Sequence, residues 1–383
     1  LKAQDTFFFN KISQKAMASC LKKYTKIKSG KENCIDFPFF SIFIIQNMTS
    51  EELPVYVSGY TNDQSVGIYQ YSFNPNTGVL TPKGLAAESV NPSYLTLHTS
   101  NQHLYSVNEV GEYKGQKTGY VSAYTRNKET GQLTLVNEQP SGGEDPCHAT
   151  VDATGNYLLV ANYSGGSASV IPIRNPGTSE SILGEMVSNP IHSQTYQATF
   201  GVPDRQEKPH VHSIDLDPIA QHYVFCNDLG CDALVTYKFD RNNSGTLTNH
   251  STFEFPKGTG PRHLKFAPNH NNFCYVLSEL SNDVYMLEFN FHEGKFYKVQ
   301  QIHALPEDWT GENLGSEIDI SPNGKFLYVS MRGYDAITIF EIDEWNGKLS
   351  LVGYQNTGGK HPRHFTFDPT GSFILIGNKV SCK

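Results

Sequence analysis

The sequence predicts an all-β molecule, a seven-bladed β-propeller of four-stranded antiparallel blades whose last blade is cut short. Three observations lead there. The composition, 23 Phe and 21 Tyr beside 32 Gly and 20 Pro in 383 residues, favours strands joined by tight turns. A strand–turn–strand unit recurs along the chain, opening its turn at His98, Asp152, Asp217, Ala267, Ser321 and Asp368, 47 to 65 residues apart. No stretch between these units carries the helical apolar period that a parallel α/β fold needs. Short antiparallel strands repeating at about fifty residues are the arithmetic of propeller blades.

The blades follow in order. VYVSGYT, GIYQYSFN and VLTPKGLAA, within residues 55–87, supply the last three strands of blade one. Blades two to seven open with YLTLHTSNQHLYSV, HATVDATGNYLLV, SIDLDPIAQHYVF, HLKFAPNHNNFCYV, EIDISPNGKFLYV and HFTFDPTGSFILI. Each is a short strand, a turn of the D-P-T-G kind and a second, more apolar strand. A polar loop comes next (NEVGEYKG, ANYSGGS, CNDLGCD, SELSND, SMRGYD), then two outer strands, as in DVYMLEFN with FYKVQQIHAL. In every first strand the residues one and three before the turn opener are apolar, from Leu97 and Leu95 to Phe367 and Phe365. That is one half of a period-two alternation, packing against neighbouring blades. The ends break the pattern: blade one lacks an innermost strand, and blade seven stops after FILIGNKVSCK, which leaves strand edges expected to be unpaired.

Residues 1–47 read differently. Positions 11–32 are Lys-rich, and the apolar run FPFFSIFII (37–45) is too short to span a bilayer and has no small-residue cleavage site after it. The chain opens on Leu, and Met48 would make a natural start. Residues 1–47 are therefore expected outside the folded domain, with the propeller in 48–383. A net charge of −8 offers nucleic acid no basic face, though a local cationic pocket is compatible with it. Seven cysteines form no regular framework, and CNDLGC at 226–231 lacks the second half of a zinc site. The expectation is reduced thiols in a cytoplasmic monomer, with no membrane partner, metal or cofactor.

The candidate site comes from aligning the first strands. Four residues before the turn opener stand Tyr94, His148, Ser213, His263, Glu317 and His364; five before stand Ser93, Cys147, His212, Arg262, Ser316 and Arg363. Core strands have little reason to carry such groups, so their convergence predicts a polar, partly cationic pocket at the channel mouth. The loops after the second strands add Glu109, Asn162, Asp228, Glu279 and Arg332 at the same face. The doubled Pro-Arg-His (261–263 and 362–364) is one blade position seen twice, in blades five and seven. PDRQEKPHVHS (203–213) adds Arg205, Lys208, His210 and His212. The two histidines share one face of a strand, but no further metal ligand is identifiable by spacing, and Arg205 and Lys208 suit an anion instead. No phosphate loop, nucleophile elbow or Cys-His signature is present. The chemistry left is water activation or proton transfer by His or Glu, with Arg holding charge.

DPCHATVDATGNYLLVANYSGGSASV, PDRQEKPHVHSIDLDP, GPRHLKFAPN with YVLSEL, and EIDISPNGKFLYVSMRG with HPRHFTFDPTGSFILIGN resemble, in collinear order, the seven-bladed propeller lactonase family. That family includes propeller-type 6-phosphogluconolactonase and carboxy-cis,cis-muconate cyclase. Its polar motif residues fall on His148, Arg205, His210, His212, Arg262, His263, Glu279 and Arg332. This chain departs from the pattern at Ser278, Asp319 and Met331. The resemblance implies hydrolysis of 6-phosphoglucono-lactone to 6-phosphogluconate. Arg262 and Arg332 would hold the phosphate or oxyanion, with Arg205, His210 and Glu317 also binding substrate. His148 or Glu279 would be the first choice to activate water, with His212 and His263 beside them. A lactonising muconate cyclase and a non-catalytic propeller scaffold are the alternatives.

Overall fold

A buried carboxylate at the turn opens three of the six repeated hairpins in the same way. Asp152, fully buried, accepts the backbone N–H groups of Asn156 and Tyr157 at 2.8 Å each. Asp217 does the same for Ala220, Gln221 and Tyr223, and Asp368 for Thr370 and Phe373. Where the opener is Ser321, its hydroxyl accepts Phe326 N–H at 3.0 Å. The turns close through glycines in the left-handed region, such as Gly155 at φ +73° and Gly371 at φ +66°, where a side chain would be strained. Side-chain acceptors satisfy the turn's own donors, so the two flanking strands are held in register.

The computed structural model describes residues 7–11, 41–45, 52–62, 65–186, 189–192 and 199–380. Among them the strands form seven antiparallel sheets in chain order. From blade two to blade seven the inner strands are Pro92–Leu97, Pro146–Val151, Val211–Leu216, Pro261–Ala267, Leu314–Ile320 and Lys360–Phe367. The second strands are His103–Asn108, Tyr157–Asn162, Tyr223–Asp228, His270–Ser278, Phe326–Arg332 and Phe373–Val380. Blade three is irregular at its rim, where Ile182–Leu183 and Ile191–His192 both pair with Ser167–Arg174.

The core lies between blades. Val276 and Leu287 of blade five pack with Phe225 and Leu234 of blade four, and Tyr275 and Met286 of blade five with Leu327 and Phe340 of blade six. Seven such clusters among the described residues, one per blade interface, close the ring. Residues three before each turn opener (Leu95, Ala149, Ile214, Leu264, Ile318, Phe365) are all buried, as the alternation requires.

Two expectations about the ends are corrected. Blade one has its innermost strand: Ser41–Ile44 pairs antiparallel with Leu53–Ser58, Ile42 opposite Val57 and Ile44 opposite Val55. Ile42 and Ile44 are buried against Val55, Val57, Phe373 and Leu375, in the cluster that joins blade one to blade seven. Residues 41–44 of the apolar run read as outside the domain therefore seal the ring, and the boundary expected at residue 48 lies too late. The reason is that an open seam would expose two strand edges and their apolar faces. Among the described residues blade seven has three strands, the third place being taken by Phe7–Lys11, paired with Phe373–Val380. The other residues of 1–47 lie outside those described.

Each inner strand of blades two to seven carries a β-bulge at the same place. The register shifts between Pro92 and Tyr94, Pro146 and His148, Val211 and Ser213, Pro261 and His263, Gly315 and Ile318, and Pro362 and His364. Consecutive residues of a regular strand face opposite sides; an unpaired extra residue breaks that rule and re-aims a side chain. This is how Cys147, His212 and Arg363 reach the cavity at the channel mouth, and Arg262 reaches Glu279, while His148 and His263 line the channel beneath.

Candidate active site

Glu279 is the hub of the mouth. It follows directly on the second strand of blade five, and its backbone N–H bonds Gly260 O at 2.7 Å. Its buried carboxylate receives Arg262 Nε at 3.0 Å and Arg332 at 2.8 Å on Oε2, and Arg205 on Oε1. Burial alone would raise this carboxyl, but Arg332, Arg262 and Arg205 outweigh it and hold it far below the usual carboxylate range. The guanidiniums are fixed in turn: Arg262 donates to Ser316 O at 2.5 Å, Arg332 to Gly315 O at 2.8 Å, and Arg205 to the Tyr163 hydroxyl at 3.2 Å.

Above this cluster lies a cavity of about 270 Å³ whose wall includes Tyr60, Glu109, Cys147, Tyr163, Arg205, His212, Glu279, Arg332 and Arg363. That is slightly below the ~300–1,000 Å³ of drug-sized sites, so it suits a small metabolite. Three arginines face two carboxylates there, and buried Arg332 Nε has no hydrogen-bond partner. Tyr60 donates to Glu109 Oε1 and lies 3.5 Å from an Arg363 nitrogen. Burial, opposed by Arg363 and reinforced by Glu109, raises the Tyr60 hydroxyl well above its ordinary pKa, so it remains a donor. Burial likewise pushes the Cys147 thiol up, which makes it a poor nucleophile. Two roomier hollows, of about 570 and 630 Å³, lie at the hairpins around Trp345 and around Arg241, away from the channel-mouth cluster.

Beneath the cavity the channel is lined by rings in contact: His212 to His263 at 5.2 Å between centroids, His263 to His148 at 5.1 Å, His148 to Tyr94 at 4.5 Å. His148 Nδ1 accepts Ile214 N–H of blade four at 3.2 Å, and His364 Nδ1 accepts Ile42 N–H of blade one at 3.4 Å. Both rings, when neutral, therefore carry their proton on Nε2, and both tie one blade to the next. Glu317 accepts His263 Nδ1 at 3.0 Å and lies 3.5 Å from His364 Nε2. Burial keeps these imidazoles neutral. It lowers His148, with His263 adding, and lowers His212 and His263, with Arg262 adding. Burial also brings His364 to about 4, against the pull of Glu317.

The predicted site residues thus divide. Glu279, His212, Arg205 and Arg332 meet at the cavity wall. Arg262 stands behind Glu279, its head spent on that carboxylate and Ser316 O. His148, His263 and Glu317 lie beneath, where they have an inter-blade role that the sequence reading did not foresee. His210 is outside the wall: its ring stacks on Tyr163 at 4.4 Å, with Nδ1 at 3.1 Å from Tyr163 O and Nε2 at 3.0 Å from Glu207. Asn162 and Asp228 hold loops, Asn162 through Ser141 O and two serines, Asp228 through His210 and Cys231 N–H. The residue facing the cavity is the first one after the second strand, which is Glu109 in blade two, Tyr163 in blade three and Glu279 in blade five. Tyr60 and Tyr163 were missing from the predicted set, and loop position was the signal that would have found them, whereas Arg363, aligned in the inner-strand ring by the sequence, does reach the wall. Among the described residues no group of three His, Cys, Asp or Glu side chains is placed to hold a metal ion, and no helix is long and apolar enough to cross a membrane.

The chain is similar to proteins with this architecture. It is 38% identical over 324 residues to a 6-phosphogluconolactonase of Bacillus subtilis, covering 85% of this chain and 87% of that one. A crystal structure from Bacteroides fragilis, provisionally described as a 6-phosphogluconolactonase, is 33% identical with a TM-score of 0.76, covering 87% and 89% of the two chains. The periplasmic gluconolactonase of Pseudomonas aeruginosa is 31% identical with a TM-score of 0.76, over 84% and 87%. The profile of the family described as lactonase, 7-bladed beta-propeller, matches residues 54–383. With the closed ring of blades and the arginine-lined mouth in hand, that match places the chain in the seven-bladed β-propeller lactonase family.

Proposed function

We propose that this protein hydrolyses 6-phosphoglucono-lactone to 6-phosphogluconate, the lactone-opening step of the pentose phosphate pathway, at the cavity over Glu279. The observation that carries this is the convergence of Arg205, Arg332 and Arg363 on one metabolite-sized cavity; the naming of the Bacillus subtilis relative supports the same substrate. Arginine forks suit both a phosphate and the oxyanion that forms when water adds to the ester carbonyl. Arg205, held by Glu279 and Tyr163 yet about one-third exposed, can also meet an incoming phosphate. Arg332, with an unmet Nε donor, is placed for the oxyanion. Glu279 keeps these cations close together and oriented before substrate arrives. Its depressed carboxyl makes it a feeble base, so it acts as counter-ion. Lactones already open slowly in water, so positioning, charge stabilisation and modest proton transfer suffice. Working as a monomer in the cytoplasm is part of this reading; the buried free thiols Cys147, Cys226, Cys231 and Cys274 suit a reducing compartment.

The test is lactone opening followed at neutral pH against the spontaneous rate. The wild-type protein is expected to accelerate opening, and Arg332→Ala to lose about 10²–10³-fold in kcat/KM. Acceleration unchanged in Arg332→Ala, or turnover of a muconate instead of the lactone, would defeat the assignment.

A further inference from the structure

We propose that Lys379, beside Arg363 over the ring of Tyr60, receives the phosphate of the sugar lactone and sets the preference for a phosphorylated substrate; the assignment rests on the lactonase reading above and names the phosphate end of its cavity.

The register of the inner hairpins singles Lys379 out. Just before each bulge the inner strand pairs with Asn108 in blade two, Asn162 in blade three, Ser278 in blade five, Met331 in blade six and Asn378 in blade seven. The next residue along the chain is Glu109, Tyr163, Glu279, Arg332 and Lys379 in turn. The first four of these line the cavity, so the repeat carries Lys379 to the same mouth. Blade four has Leu229 there, fully buried and given to packing. Lys379 stays exposed, with Nζ 5.7 Å from the centroid of the Tyr60 ring, and Tyr60 is itself part of the cavity wall. The Arg363 guanidinium lies at the same 5.7 Å from that ring. An aromatic face attracts cations at this range, so Tyr60 gathers two of them on one side of the mouth.

The cavity thus has two cationic sides. Arg205 bonds Tyr163 of blade three and Glu279 of blade five, whereas Lys379 and Arg363 belong to blade seven and meet Tyr60 of blade one. The sides differ in what already neutralises them. Arg205, Arg262 and Arg332 share the Glu279 carboxylate. Among the described residues no carboxylate lies within ion-pair distance of Lys379. Burial, and then Arg363 and Arg332, hold its ammonium below the usual lysine range; an arriving anion relieves that crowding of charge.

A phosphate monoester carries roughly two negative charges at neutral pH. A lysine on an exposed, flexible stem meets it as a point charge with three donors. The carbonyl and the phosphate stand at opposite ends of the substrate's carbon chain. An oxyanion at Arg332 and a phosphate at Lys379 therefore use neighbouring blades without competing for one cation.

The experiment measures kcat/KM for 6-phosphoglucono-lactone and for glucono-lactone, each corrected for spontaneous opening, in wild type, Lys379→Gln, Lys379→Arg and Arg205→Gln. One charge-assisted contact corresponds to about 10–10²-fold. The ratio of the two values is expected to fall by that factor in Lys379→Gln, chiefly through KM. Lys379→Arg, which keeps the charge, should restore most of it. Calorimetry with 6-phosphogluconate and gluconate should show the same loss of discrimination without depending on turnover. An unchanged ratio in Lys379→Gln would overturn the assignment, and so would a fall confined to Arg205→Gln, which would move the phosphate to the other side. Equal losses on both lactones would overturn it as well, since they mark a general fault in the site. A wild-type protein inert to both lactones that still binds 6-phosphogluconate through Lys379 would defeat the lactonase reading and keep the phosphate site.

Discussion

Glu279 shows how one side chain organises a mouth built from several blades. Three guanidiniums, from the Arg205 segment, the blade-five bulge and the end of blade six's second strand, share its two oxygens. Removing one partner of a buried charge cluster leaves uncompensated charge, which costs about 3–5 kcal/mol. Glu279→Gln should therefore unfold at lower urea concentration at pH 7. The pH dependence follows from the depressed folded-state carboxyl. Its stabilisation is fully present above the unfolded carboxyl's pKa of about 4.3 and is lost as pH falls toward the folded value, because the unfolded chain protonates first. The gap between wild type and Glu279→Gln should accordingly be widest at neutral pH and narrow below about pH 4. A gap independent of pH would mean that the carboxylate charge is not what holds the cluster.

At the level of elements, most of the fold was legible because the inner hairpin repeats its own chemistry: an opener that caps the turn, an alternating inner strand, an apolar second strand. The closing strand was not. The sequence between Ser41–Ile44 and Leu53–Ser58, IQNMTSEE, lacks the D-P-T-G pattern of the repeat, so nothing local marked the closing strand as part of a blade, and only its burial between blades one and seven does so. Ile42→Ala should cost about 2–5 kcal/mol, as expected for a fully buried aliphatic, whereas Val66→Ala, at a half-exposed position, should stay within about 0.5 kcal/mol. Chemical denaturation of the two variants checks this, and equal losses would count against a closing role. The site was legible in part for a similar reason. Alignment found the positions that line the channel, but alternation cannot say that a bulge turns Arg262 and His263 into the same channel. Nor can it say that Glu279 gathers Arg262, Arg332 and Arg205 while Glu109 takes the Tyr60 hydroxyl; those outcomes depend on contacts across blades.

For the whole molecule, seven similar blades bring non-equivalent residues to equivalent positions around one axis. Blade-to-blade packing supplies the stability, and neutral imidazoles at His148 and His364 tie adjacent inner strands beneath the cavity. The mouth is left free to concentrate positive charge in a chain that is acidic overall. That arrangement makes recognition of an anion the central claim, and a substrate pair differing only in a phosphate tests it most directly. The measurement is the ratio of kcat/KM for 6-phosphoglucono-lactone to that for glucono-lactone, each corrected for spontaneous opening. Charge-assisted contacts of about 1.5–3 kcal/mol apiece predict a ratio of at least ~10². Equal values for the two lactones would contradict the account.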